Sequence, residues 1–234
     1  MGLRDSERLL NINGGELIVK GDYHMENGKL KEDTAGEEKY EYSTGAGMLC
    51  MTNPEDKVLI EGDFVNNTPV DHKGYMTAGT ITVNGDFTIK KVTGNQTNGF
   101  YSTGAHTVIL DGKNNQKIVW EYEGIYNSRI ANIIFSKDDD NNDRKIIISG
   151  NPYVTENVND GGCIVTGKIC PAETLKFENN RFNGGLNIRN EIVIDKELYI
   201  GGDIYNEGSG HIVMNGGKLT VNGNYDMPYS WYTY

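Results

Sequence analysis

Carboxylates at recurring positions are the residues in this chain best suited to chemistry. Asp22, Asp63, Asp86 and Asp203 each follow a glycine (Gly21, Gly62, Gly85 and Gly202), and Asn224 follows Gly223 in the same way. Two carboxyl groups roughly 5–9.5 Å apart in a cleft can cleave a glycosidic bond. If equivalent positions stack in the fold, Asp63 comes near Asp86 and Asp203 near Asn224. The architectural reading weighs against this, because a residue type repeated at each turn of the chain is what a structural corner needs. A second acidic group, Asp138, Asp140 and Asn142, has the alternating spacing of early calcium-loop ligands. Asp143 stands where such a loop needs glycine and Ser149 where it needs glutamate. The segment therefore reads as a solvated acidic loop and is only a weak calcium candidate.

Other reactive side chains are scattered. His24, His72, His106 and His211 lie far apart, and no His-x-x-x-His or Cys-x-x-Cys spacing occurs, so no metal centre or cofactor is expected. His106 alternates with Val108 and Leu110, which marks a packed or turn-bonding histidine. Cys163 and Cys170 are separated by a strand-turn-strand spacing that fits either a local disulfide or two free thiols. Tyr40, Tyr42, Trp120, Tyr122 and Tyr126 are candidates for stacking on glycans, although Trp120 closes the apolar alternation Gln116–Trp120 and suits a core. Thr80 and Thr82 have no repeated partners in register, which argues against an ice-binding ladder.

The elements that must position these groups are written as a repeat. The word Leu-x-Val-x-Gly-Asp-aromatic occurs at Leu17–Tyr23, with variants at Val58–Phe64 and Ile81–Phe87 and weaker copies at Leu198–Ile204 and Leu219–Tyr225. Gly62 and Gly85 are 23 residues apart, and Gly202 and Gly223 are 21 apart. On this period the 41-residue interval from Gly21 to Gly62 counts as two steps, and the 117 residues from Gly85 to Gly202 as five. Short alternating runs closed by Gly, Asn or Asp predict sixteen strands, among them Glu16–Lys20, Lys57–Glu61, Thr80–Asn84, His106–Asp111, Gln116–Trp120 and Lys218–Asn222. Leu17, Val19, Ile81 and Val83 are expected to point inward. Each Gly is expected to supply a positive-φ corner, with the following Asp or Asn bonding backbone amides there. Phe64, Phe87 and Tyr225 are expected to begin the next side or close over a coil end. Glu32–Gly47, Lys91–Gly99 and Lys137–Asp143 break the pattern and read as protruding loops; Glu37–Tyr42 alone could hold a helical turn, but reads better as part of the first of these loops. An antiparallel sandwich also fits strands 8–12 residues apart, but one repeated corner favours stacked coils about 4.8 Å apart.

Composition sets further bounds. Hydrophobic residues make up 37% of 234 and Gly accounts for 30, so the core must be thin. The net charge of −11 repels phosphate backbones, which excludes nucleic acid as a partner. No apolar run is long enough for a membrane span. Met1–Arg8 lacks the apolar segment of a leader, which points to an intracellular chain or to a cloned boundary with the leader removed. Residues 1–8 are read as a cap or such a boundary, 9–227 as one domain, and 228–234 as an aromatic tail that caps the last coil.

The motif order resembles a repeat region of large cell-surface, adhesin-like proteins of Gram-positive bacteria. The resemblance rests on Asn13–Tyr23, Met51–Phe64, Gly74–Phe87 and Phe100–Ile118, and is detailed over residues 10–120. Asn13–Met25 also aligns without gaps to Asn215–Met227, so both ends carry the same kind of rung. The fold expected is all-β, a right-handed parallel β-helix (β-solenoid) of about ten coils. The resemblance implies a non-enzymatic spacer, scaffold or adhesive surface, secreted or at the cell surface. Its partners would be host or cell-wall glycans or proteins, and the isolated chain a monomer. A carbohydrate-binding or polysaccharide-cleaving β-helix is the alternative.

Overall fold

The computed structural model describes residues 8–31, 39–92, 98–122, 127–136 and 144–228. Among these residues the chain is all-β, with 25 strands and a single 3-10 turn, Glu178–Asn180. Every strand pairing is parallel except one, Tyr23–Lys31 with Lys39–Thr44. This excludes the antiparallel sandwich and is compatible with a β-helix. The strands fall into five separate sheets, of which the largest has eleven strands and the next seven.

The large sheet begins Glu16–Val19, Lys57–Ile60, Thr80–Val83, Thr107–Leu110, Ile130–Phe135 and Tyr153–Asn159, each hydrogen-bonded to the next. The chain thus returns to the same sheet once per pass. Alternation decides what faces inward: Val58, Ile60, Ile81, Val83, Val108 and Leu110 are buried, while Leu59, Thr82 and Ile109 between them are half-exposed. Leu17 and Val19, in the first pass, are only half-buried but pack on the same core. Between passes the seven-stranded sheet takes up Phe64–Asn66, Phe87–Ile89, Gln116–Trp120 and Lys145–Ser149. Phe64 and Phe87 open their strands and stack with ring centres 5.0 Å apart, and Phe100 meets Phe87 edge-on at 5.3 Å. These rings are fully buried and pack into the core beside the aliphatic residues.

Gly21, Gly62 and Gly85 do stack as successive corners: the Gly62 N–H donates to the Gly21 carbonyl at 3.1 Å, and the Gly85 N–H to the Gly62 carbonyl at 2.9 Å. The reason for glycine differs from the expected one. None of the three has a positive φ. What they supply is close approach: a Cβ on Gly62 would lie 2.7 Å from the Gly21 carbonyl carbon and collide with the Asp22 carboxylate. Adjacent passes touch backbone to backbone here.

Two counts of the repeat need correction. Gly62 bonds directly to Gly21, so the 41-residue interval is a single pass, not two. The surplus is taken up by the hairpin Tyr23–Lys31 with Lys39–Thr44; of the loop expected at Glu32–Gly47, Lys39–Thr44 is strand, and residues 32–38 lie outside the described residues. The interval from Gly85 to Gly202 is not a whole number of steps, because Gly202 belongs to a different corner. In Leu17–Tyr23 the strand before the corner lies in the large sheet and the strand after it in the seven-stranded sheet. In the late copies Glu197–Ile200 and Lys218–Val221 pair with each other in a three-stranded sheet, and it is the strands after the corner, Ile204–Asn206 and Tyr225–Asp226, that lie in the large one. Asn13–Met25 and Asn215–Met227 are thus the same local shape used at different places in the section.

The exchange happens through two long strands. The pairing of Ile130–Phe135 with Tyr153–Asn159 carries a register shift between Ile130 and Asn132. Beyond them Tyr153–Val154 pairs with Lys168–Pro171, and Asn157–Val158 with Lys176–Phe177.

Candidate functional site

The recurring carboxylates are placed together, as a ladder along the corner. Asp22 Oδ1 accepts the backbone N–H of Asp63 at 2.8 Å, Asp63 Oδ1 that of Asp86 at 2.7 Å, and Asp86 Oδ1 that of Lys117 at 2.8 Å. Asp203 Oδ1 accepts the N–H of Asn224 at 2.8 Å on the other corner. Each carboxylate is committed to the amide of the pass that follows it. An acid–base pair needs groups aimed at a shared substrate, and these are aimed along the stack.

The histidines divide by burial. His72 is enclosed; its Nδ1–H donates to the Val70 carbonyl at 3.0 Å and its Nε2 accepts the Leu49 N–H at 3.1 Å. His106 is also enclosed, with Nδ1 2.9 Å from Ser102 Oγ. Burial pushes their pKa values down to about 4 and about 3. The Ser102–His106 pair resembles a nucleophile and base, but both side chains have no exposure and cannot meet a substrate. His24 stacks on Tyr42 with ring centres 3.9 Å apart and bonds Glu26 at 2.8 Å. Glu26 also holds Lys90 at 2.7 Å, and these bonds outweigh its desolvation and lower its pKa. His211 is exposed beside Glu191 at 2.7 Å, and its pKa is raised by bonding to the Ser209 carbonyl and to Glu191. Cys50, Cys163 and Cys170 are buried, and none of them forms a disulfide. Among the described residues no group of three or more His, Cys, Asp or Glu side chains is arranged to hold a metal ion. Asp138, Asp140, Asn142, Tyr126 and the aromatic tail from Tyr229 onward lie outside the described residues.

Of the aromatic candidates, Trp120 and Tyr122 are buried in the core, and Tyr40 and Tyr42 sit exposed on the hairpin. The outward aromatic face lies elsewhere. Register places Tyr75 beside Tyr101, Tyr101 beside Arg129, and Tyr153 beside Cys170 on neighbouring passes, then Asn187 beside Tyr205. The Arg129 guanidinium lies 4.3 Å from the Tyr101 ring centre and 5.3 Å from that of Tyr153, so the cation is clasped between two rings. Next to Tyr153 the face sinks into a depression of about 430 Å³ lined by Asn151, Lys168, Asn187, Arg189, Tyr205 and Glu207. Sequence reasoning missed this column because Tyr101 and Arg129 lie in isolated bridges and Tyr75 in the turn before one, where no run of alternation announces a face.

No family model, no curated protein and no solved structure matches the chain.

Proposed function

We propose that the chain is a right-handed parallel β-solenoid of about ten coils, acting as a non-enzymatic scaffold, spacer or adhesive segment of a secreted or cell-surface bacterial protein. The observation that carries this is the carboxylate ladder. The acidic groups that recur often enough to suggest hydrolysis are each bonded to the amide of the next pass, at 2.7 to 2.8 Å, and so serve the stack. The motif resemblance at Asn13–Tyr23, Met51–Phe64, Gly74–Phe87 and Phe100–Ile118 supports the location. The net charge of −11 suits a soluble, edge-rich β protein, a monomer in isolation. Its partners are glycans or proteins of a host or cell wall. The test is incubation of the purified chain with a panel of acidic and neutral polysaccharides, with and without calcium, reading reducing ends and unsaturated ends. The reading expects neither; product formed above a heat-denatured control contradicts it.

A further inference from the structure

On the outward side of the late passes, Asn187 lines the depression together with Lys168, Arg189, Tyr205 and Glu207. Asn187 is 4% exposed; its Nδ2 donates to Glu207 at 3.1 Å, while its Oδ1 is buried without a hydrogen-bond partner among the described residues. A buried acceptor left empty is costly, and a ligand donor aimed at it relieves the cost. Arg189 is held against Glu207 at 2.8 Å, so its charge is already matched. Lys168, on the rim, makes no ion pair among the described residues and is a cation free to meet an anion. Tyr205, also on the rim, is half-buried and offers a ring beside this charge.

The surroundings select the ligand class. Lys168–Pro171 and Gly185–Ile188 are each paired on both sides, so no open strand edge is present for an extended peptide. A single unmatched lysine on a chain of charge −11 does not hold a nucleic-acid backbone. Sugar hydroxyls both donate and accept, which fits an amide oxygen, a carboxylate and a guanidinium set side by side, and sugar rings stack on tyrosine. The volume of about 430 Å³ is that of a small-ligand site. The column Tyr75, Tyr101, Arg129, Tyr153 continues away from it along the stack, so a longer chain has further rings to lie on. We propose that this depression binds an acidic, uronate-bearing oligosaccharide, with Lys168 receiving the carboxylate, Asn187 Oδ1 a sugar hydroxyl and Tyr205 a ring face. The proposal deepens the adhesive-surface reading and rests on it.

The experiment titrates the full chain with tetragalacturonate and with a hyaluronan tetrasaccharide by calorimetry, using neutral maltotetraose for comparison. The site predicts saturable binding of at least one acidic tetrasaccharide, weakened by added salt and at least tenfold tighter than maltotetraose. Lys168→Ala and Tyr205→Ala should each weaken binding about tenfold at an unchanged melting temperature, and Lys168→Arg should retain it. Absence of binding by both acidic probes, equal binding of the neutral one, or binding indifferent to both alanine variants overturns the site. If either rim variant melts lower, Lys168→Gln, which keeps most of the stem, gives the same reading. Loss of the site leaves the scaffold reading standing; cleavage of the probe during titration would sink the scaffold reading instead.

Discussion

The Asp63 carboxylate accepts the backbone N–H of Asp86, 23 positions further along the chain, at 2.7 Å. The same relation links Asp22 to Asp63, Asp86 to Lys117 and Asp203 to Asn224. A side chain that reaches one pass forward fixes the register between passes at the point where the backbone turns. Asp63→Ala should therefore cost about 1–2 kcal/mol, the worth of a charge-assisted bond at a partly solvated corner. Asp63→Asn should cost less, because an amide oxygen also accepts. Chemical denaturation of the two variants measures this, and equal losses would mean that the bond does not matter.

Glycine at the corner is needed for contact, so its importance depends on having a pass beside it. A Cβ on Gly62 or Gly85 meets the backbone of Gly21 or Gly62 and the preceding Asp, whereas one on Gly21 meets nothing within 4 Å. Gly62→Ala and Gly85→Ala should each destabilise by roughly 1–3 kcal/mol or more, as overpacking does. Gly21→Ala should stay within about 0.5 kcal/mol of the parent. Were positive φ the reason for glycine, all three substitutions would cost alike.

Val83 is fully buried and its neighbour Thr82 is half-exposed on the outer face. Val83→Asp puts an unpaired charge into the core and should lower stability by more than about 3 kcal/mol, while Thr82→Asp should cost under about 1 kcal/mol. Asn84, expected from alternation to face solvent, is a poorer control: its Oδ1 is enclosed at the corner. Thermal melts of the two variants test the inward and outward assignment, and similar shifts would refute it.

His72 and His106 make the fold sensitive to mild acid. Their folded pKa values, about 4 and about 3, lie below the ordinary 6.5. Above pH 6.5 both are neutral folded or unfolded and titration contributes nothing. As the pH falls below 6.5 the unfolded chain takes up these protons and the folded chain does not. Stability is then lost, by up to roughly 1.4 kcal/mol per pH unit per histidine, until the folded pKa is reached. Denaturation midpoints between pH 6.5 and 5 should fall steadily in the parent and about half as steeply in His106→Gln. An unchanged slope in that variant would show that His106 is protonated in the fold.

The longer strands were legible because four to six residues of alternation suffice to show a face: Gln116–Trp120, Lys145–Ser149 and Glu197–Ile200 run between the bounds expected. The short strands Phe64–Asn66 and Phe87–Ile89 were not, since at three residues they show a period of two only once. Motif spacing misled where it met an insertion. The hairpin doubles the interval between Gly21 and Gly62 without adding a pass. It misled again where one word served two corners, because the local geometry of strand, glycine, aspartate and strand is the same at each. The outward site was hidden for a further reason: Asn187 and Lys168 acquire their surroundings only from Glu207 and Tyr205, contributed by the next passes.

Successive passes lie in register, and each pairs with its immediate neighbours. Thr82 is paired with Leu59 on one side and Ile109 on the other, with all three side chains outward. At a spacing of about 4.8 Å between paired strands, neighbouring cysteines fall within the roughly 4.4–6.8 Å Cα separation of a disulfide, and cysteines two passes apart do not. The measurement is cross-linking of the double variants Leu59→Cys/Thr82→Cys, Thr82→Cys/Ile109→Cys and Leu59→Cys/Ile109→Cys under mild oxidation, read by peptide mass spectrometry of the folded chain. The stacked arrangement predicts cross-links in the first two and none in the third. A cross-link in the third, or in neither of the first two, would contradict it.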